Sequence, residues 1–321
     1  MTCMPFGQLM DWVLQEKKGQ DTVFGVHRPY TADAKKAMTI FTSNLETPVG
    51  PAAGPHTQLA QNIIASYYAG ARFFELKTVQ KMDGAELSAC VNKPCILADD
   101  EGYNCEWSTE LTVPDAMGEY IKAWFILHVM AKEFGLGAQD GFQFNISVGY
   151  DLAGIKGDKV NTFIDGMMEA KDTAVFQECK KWLQDNADKF QNFTREDIEA
   201  IPSNICNSVT ISTLHGCPPQ EIESIANYLL TEKHLNTFVK CNPTLLGYDF
   251  ARKTMDEMGY DYMVFGDFHF RDDLQYEDAV PMLTRLMKLS EELGLEFGVK
   301  ITNTFPVDVT RNELPSEEMY M

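Results

Sequence analysis

Short apolar runs bounded by Gly, Pro and Asn alternate along this chain with longer stretches in which apolar residues return every three to four positions. The runs near 46–52, 72–79, 142–149, 207–213, 236–242, 260–266 and 295–302 predict β-strands, and the stretches 57–70, 114–134, 219–231, 249–258 and 277–293 predict helices. Strand and helix in turn is the order of βα units in series, a parallel sheet wrapped by helices. The predicted fold is α/β, a TIM-type (β/α)8 barrel. Two connections, 81–115 and 151–207, are longer than a βα loop needs, and the second carries helical periodicity of its own at 160–170 and 174–190. After the seventh run, 304–321 contains Pro306 and Pro315 and no further periodic stretch, so the series reads as stopping before a barrel closes. The expected organisation is a single incomplete barrel domain over 1–321, with a helical extension at 1–45 and a helical insertion at 151–206.

Composition narrows the partners. At 321 residues and 45% hydrophobic the chain can bury one large core. Its 47 acidic against 27 basic residues give a net charge of −20, which repels phosphate backbones and anionic membrane surfaces, so neither nucleic acid nor lipid is an expected partner. Residues 1–20 lack the basic start and apolar run of a secretory signal, and the apolar stretch 123–131, broken by His128, is far short of the roughly 18 residues that span a bilayer. The eight cysteines (3, 90, 95, 105, 179, 206, 217 and 241) show no CxxC pair, and reduced thiols in a cytoplasmic protein are the expectation. Cys90, Cys95 and Cys105 share one stretch rich in Asp and Gly, where loop thiols and a metal site are both open readings. The six histidines are isolated, with no HxH pair after any strand, which fits a metal-dependent hydrolase barrel badly.

In a parallel barrel the chemistry sits at the carboxyl ends of the strands, so the polar residues just past each apolar run are the candidates. Pro48-Val-Gly-Pro-Ala-Ala-Gly-Pro55 places small residues, Ala53 and Gly54 among them, where a backbone could lie against a flat ring, or where three prolines simply fix a turn. Lys77, followed by Thr78, ends an otherwise apolar run, and a buried ammonium must meet either a ligand anion or a structural carboxylate. Lys240 and Lys300 repeat the device on later strands, Asn145 adds an amide, and Asn303 and Thr304 offer donors for a ring edge or a phosphate. Cys217, in His215-Gly-Cys-Pro-Pro219, falls at or near a helix start marked by two prolines. There the helix dipole favours thiolate and His215 can add positive charge. Cys217 and His215 are the candidate catalytic residues, set against a small thiol packed behind a turn.

In order and spacing, PVGPAAGP, FFELKTVQ, FNISVGY, VTISTLHGCPP and FVKCNP resemble the strand-end segments of the dihydroorotate and dihydropyrimidine dehydrogenase superfamily, whose barrels carry FMN. With NCEWSTE, GVKITNT and LPSEEMYM added, the chain resembles the amino-terminal part of a family of selenate reductase subunits. The resemblance implies a flavin-dependent oxidoreductase domain of a multi-cofactor iron–sulfur flavoprotein, inactive on its own, that reduces a small substrate such as an unsaturated nitrogen heterocycle. It implies FMN in this barrel. FAD, NAD(P)H and [4Fe–4S] clusters are implied only in carboxy-terminal electron-transfer modules, which would be partners together with other redox subunits. Carried over by position, Ala53 and Gly54 lie beside the flavin, Lys77 and Thr78 near its ring, and Asn145 and Lys240 at strand ends that contact it. Cys217 matches the cysteine that exchanges a proton with substrate. Leu214 stands where the dehydrogenases have Asn, which separates this chain from their mode of pyrimidine recognition. The alternative of another class is a cofactor-free barrel serving as a scaffold between subunits.

Overall fold

The computed structural model describes residues 2–33, 35, 37–84, 86, 96–97, 102–103, 109–212, 215–303, 305–310 and 318–320. The chain divides into two compact units: Met1–Cys90, Ser108–Ser147 and Lys156–Ser208 form the first, and Val91–Trp107, Val148–Ile155 and Val209–Met321 the second.

In the first unit, helix α1 (Phe6–Gln20) buries Phe6, Leu9, Met10 and Val13, the spacing of one helical stripe. A hairpin follows, β1 (Met38–Ile40) against β2 (Ser43–Leu45), so residues 1–45 hold strands as well as a helix. The expected strand at 46–52 is absent. Pro48 and Pro51 have no N–H to give a ladder, and the segment instead offers single carbonyls, Val49 O accepting from Arg72 N at 2.8 Å. Helix α2 (Ala60–Ala69) leads into β3 (Phe73–Glu75). Helix α3 (Val113–Glu133) starts on the Thr112 side chain, which accepts from Asp115 N, and is buried on nearly every face. β4 (Gln143–Val148) pairs parallel to β3 with Phe74 opposite Phe144 and Glu75 opposite Asn145. Successive strand residues point to opposite faces. Phe144 therefore turns towards Trp124 of α3, ring centroids 5.3 Å apart, while Glu75 and Asn145 share the other face. Within 151–206 the helices are α4 (Leu152–Lys156), which belongs to the second unit as far as Ile155, and then α5 (Asp158–Met168), α6 (Ala174–Asp185) and α7 (Arg195–Ala200), the last held by a reciprocal Thr194–Asp197 capping box. The first half of β5 (Cys206–Ile211) is the neighbour of β4 here.

In the second unit the strand order is the second half of β5, then β6 (Asn236–Cys241), then β7 (Phe297–Ile301). Helix α8 (Pro219–Thr231) joins β5 to β6, and α9 (Tyr248–Glu257), α10 (Phe268–Asp272) and α11 (Tyr276–Leu293) lie between β6 and β7. β6 and β7 are parallel, with Phe238 opposite Gly298 and Lys240 opposite Lys300. A Cβ on Gly298 would lie 2.6 Å from the Phe238 ring, so only glycine admits that ring here. The expected strand at 260–266 does not form. Its alternation is real, with Met263 and Phe265 buried and Tyr262 and Val264 exposed. The buried pair, however, joins Ala251, Phe270, Phe305 and Val307 in a small apolar cluster rather than a sheet. A last hairpin pairs β8 (Pro306–Asp308) with β9 (Glu318–Tyr320).

Candidate functional site

The first unit carries five of the residues singled out from sequence: Ala53 and Gly54 in a loop, Lys77 and Thr78 just past β3, and Asn145 within β4. The Pro48–Pro55 loop is fixed by its own backbone. A Cβ on Gly50 would lie 1.5 Å from the Phe73 carbonyl oxygen, so this glycine answers to the chain and not to a ring laid upon it. Gly54 is different, since the atoms nearest its added Cβ belong to the His56 imidazole, a side chain that can rotate. Ala53 N donates to Glu75 Oε2 at 2.8 Å, tying the loop to β3. Glu75, 5% exposed, is a site residue that sequence reasoning missed, because the apolar run around it gave no sign that its carboxylate serves a loop twenty residues earlier.

Beyond β3, Leu76 N donates to Asn145 O and Val79 N to Ser147 O, each at 2.9 Å, which carries Lys77 and Thr78 along the same parallel track. Lys77, Thr78 and Asn145 are all buried. The Thr78 and Ser147 hydroxyls lie 2.8 Å apart, and the Tyr120 hydroxyl donates to Lys77 O at 2.9 Å. Gln58 Oε1 accepts from Glu110 N at 2.7 Å and from Thr109 Oγ1 at 3.2 Å, and Thr109 N in turn donates to Thr78 O at 2.7 Å. The Nε2 groups of Gln58 and Gln80 are buried with no acceptor among the described residues.

In the second unit Cys217 directly precedes Pro218, the N-cap of α8, with Pro219 in the first turn. Cys217 is half-buried, and Cys241 is buried, its thiol pushed up by burial. Gly216 has φ of +79°, a left-handed conformation that glycine adopts freely. Its N–H donates to Asp273 Oδ1 at 2.7 Å. His215 Nδ1 lies 2.7 Å from Asp273 Oδ2, and Thr244 Oγ1 donates to the same oxygen at 2.6 Å. Burial pushes the Asp273 carboxyl up, but the hydrogen bonds from His215, Thr244 and Gly216 outweigh it and hold the acid below its ordinary range. Asn242 Nδ2 stands 3.3 Å from His215 Nδ1, and Asn303 Nδ2 donates to Asn242 Oδ1 at 2.9 Å. His215 and Asn303 are thus in one network with the Cys217 loop. Lys240, half-buried on β6, lies on the strand whose end supplies Asn242.

Thr304, Leu214 and the stretch with Cys90, Cys95 and Cys105 lie outside the described residues. Among the described residues no group of three or more His, Cys, Asp or Glu is placed to hold a metal ion, and no helix is long and apolar enough to cross a membrane. Sequence reasoning missed Asp273, Thr244 and Asn242. Asn242 stood in view beside Lys240, whereas Asp273 sits in a run of acids with no pattern to mark it.

Comparison with known proteins places the chain in a family. Residues 24–321 match the family described as oxidoreductase YgfK, N-terminal TIM-barrel domain. Proteins named as the oxidoreductase YgfK in Escherichia coli strain K12 and in Escherichia coli O157:H7 are each 46% identical to this chain over 335 aligned residues, which cover 100% of it and 32% of each relative. The chain therefore spans about a third of the length of these relatives. It belongs to the oxidoreductase YgfK family, as that family's N-terminal TIM-barrel domain.

Proposed function

We propose that this domain is the flavin-bearing module of a multi-cofactor reductase, in which the loop His215-Gly216-Cys217 protonates a small substrate as it is reduced. The observation that carries the reading is a half-exposed thiol at the start of a helix, on a loop whose glycine and histidine are both fixed by one buried carboxylate. The residues present fit FMN on chemical grounds. In the first unit a buried ammonium at Lys77 and the amide of Asn145 suit the electron-rich edge of a flavin ring, and the buried Gln58 and Gln80 Nε2 groups await an acceptor such as a ring carbonyl. Ala53 and Gly54 offer a surface of small residues beside them, with Thr78 as a further donor. In the second unit Lys240 and Asn303, followed in the chain by Thr304, supply cation and amide groups of the same kind.

When bound, the flavin supplies hydride to a substrate carbon. The chain's own residues do the rest. Cys217 gives its proton to the neighbouring substrate atom and takes another from solvent, so one hydride and one proton complete the reduction. His215 stands one residue from the thiol's neighbour and adds positive charge to the loop when protonated. An unsaturated nitrogen heterocycle suits this division of hydride and proton better than selenate, which needs no carbon acid. NAD(P)H, FAD and [4Fe–4S] clusters belong, in this reading, to the remaining two-thirds of the longer protein, which delivers the electrons. The test is stopped-flow in the full-length protein with dihydropyrimidine-type substrates in their oxidised form. Cys217→Ser should leave flavin reduction by NAD(P)H intact and slow reoxidation by roughly 10²–10⁴-fold. Normal reoxidation in that variant would return the thiol to packing, and a full-length protein free of flavin would favour the scaffold reading.

A further inference from the structure

Asp273 joins three segments of the second unit's described network. It lies between α10 and α11, and its carboxylate receives the Gly216 amide and the His215 ring from the loop after β5, and the Thr244 hydroxyl from the turn after β6. Its own segment is braced, because Gln275 Nε2 donates to Phe270 O at 2.8 Å and to Asp273 O at 2.5 Å. The hydrogen bonds decide which nitrogen of His215 holds a proton. An ionised carboxylate accepts only, so at 2.7 Å the contact to Asp273 Oδ2 requires Nδ1–H. Asn242 Nδ2 is the competing neighbour of Nδ1, but at 3.3 Å it is the longer contact, and its amide is oriented by Asn303, which donates to Oδ1. Nδ1–H facing Asn242 Nδ2 is therefore a packing contact and not a bond.

We infer that Asp273 is the positioning residue of the His215–Cys217 loop. It holds His215 as the Nδ1–H tautomer, leaves Nε2 as the nitrogen that gains and loses the second proton, and pins the Gly216 amide so that Cys217 is presented at the start of α8. This rests on the reading of that loop as the protonating site. The arrangement is of the kind in which a buried carboxylate orients an imidazole for acid–base work without itself being protonated.

The readout is the tautomer of His215 in this chain, labelled with ¹⁵N-histidine and assigned by the signals lost in His215→Gln. Neither flavin nor substrate is needed. In the neutral ring of the wild type, Nδ1 should carry the proton and Nε2 should be bare. Asp273→Asn, nearly isosteric, should lose the Nδ1–H signal because the amide can now donate to the ring. Thr244→Val, which removes one bond to Asp273 without touching the ring, should keep it. In the full-length protein Asp273→Asn should slow flavin reoxidation by roughly 10²–10⁴-fold. A wild-type His215 protonated on Nε2 alone, or an Nδ1–H signal that survives in Asp273→Asn, overturns the inference. If Asp273→Asn does not fold, the wild-type spectrum still decides it. The function proposed above fails separately, on normal reoxidation in Cys217→Ser with the tautomer intact.

Discussion

The imidazole of His128 lies edge-on to Trp124, with ring centroids 4.6 Å apart, and to Phe142 at 5.0 Å, and burial alone drives its pKa down to about 3. Its folded value is depressed below the ordinary one near 6.5, so between these values the unfolded chain binds a proton that the folded chain refuses. Stability is therefore lost as pH falls below about 6.5, at about 1.4 kcal/mol per pH unit until the folded value is reached. His128→Phe should remove this term. Denaturant unfolding at pH 7 and pH 5 should show wild type losing about 2 kcal/mol more than the variant, and equal losses would mean that His128 is hydrated or paired in solution. A sequence reader sees the same residue only as an interruption in an apolar run. Gly50 is alike in this, since the glycine is visible in the sequence but the group that requires it, the Phe73 carbonyl, is not.

At the scale of elements, periodicity served best where an element buries one continuous face. The stretch expected at 219–231 is α8 to the residue, and the runs at 142–149 and 236–242 contain β4 and β6. It failed at 46–52, where prolines forbid a ladder, and at 260–266, where an alternating pattern packs into a cluster and forms no strand. The candidate site divides in the same way. Cys217 and the strand-end lysines are marked by local sequence, whereas Glu75 and Asp273 act on loops distant in the chain and leave no local trace. The register of β6 and β7 adds a test. Lys240 and Lys300 are direct partners in the ladder, and like charges opposite one another oppose sheet pairing. Lys300→Met should raise the unfolding midpoint at low salt, and inorganic phosphate should stabilise the wild type more than the variant. A lower midpoint in the variant would show that a carboxylate of the chain already neutralises the pair.

The whole molecule carries a charge of −20, and self-repulsion of that size opposes a compact state. Raising NaCl from about 10 to about 300 mM shortens the screening length from about 30 Å to below 8 Å, and the thermal midpoint should rise with it. A midpoint that stays level or falls would mean that surface ion pairs such as Arg285–Glu223 and Lys180–Glu199 offset the excess of acid. One feature of the site also governs time. Pro218 and Pro219 are the N-cap and first residue of α8, directly after the thiol, and each prolyl bond samples the cis form in roughly 10–30% of unfolded chains and returns over tens to hundreds of seconds. After denaturation the helices and sheet reform far sooner than that. A population of refolded molecules therefore passes through a period in which the fold is complete and the cysteine is still waiting for its geometry.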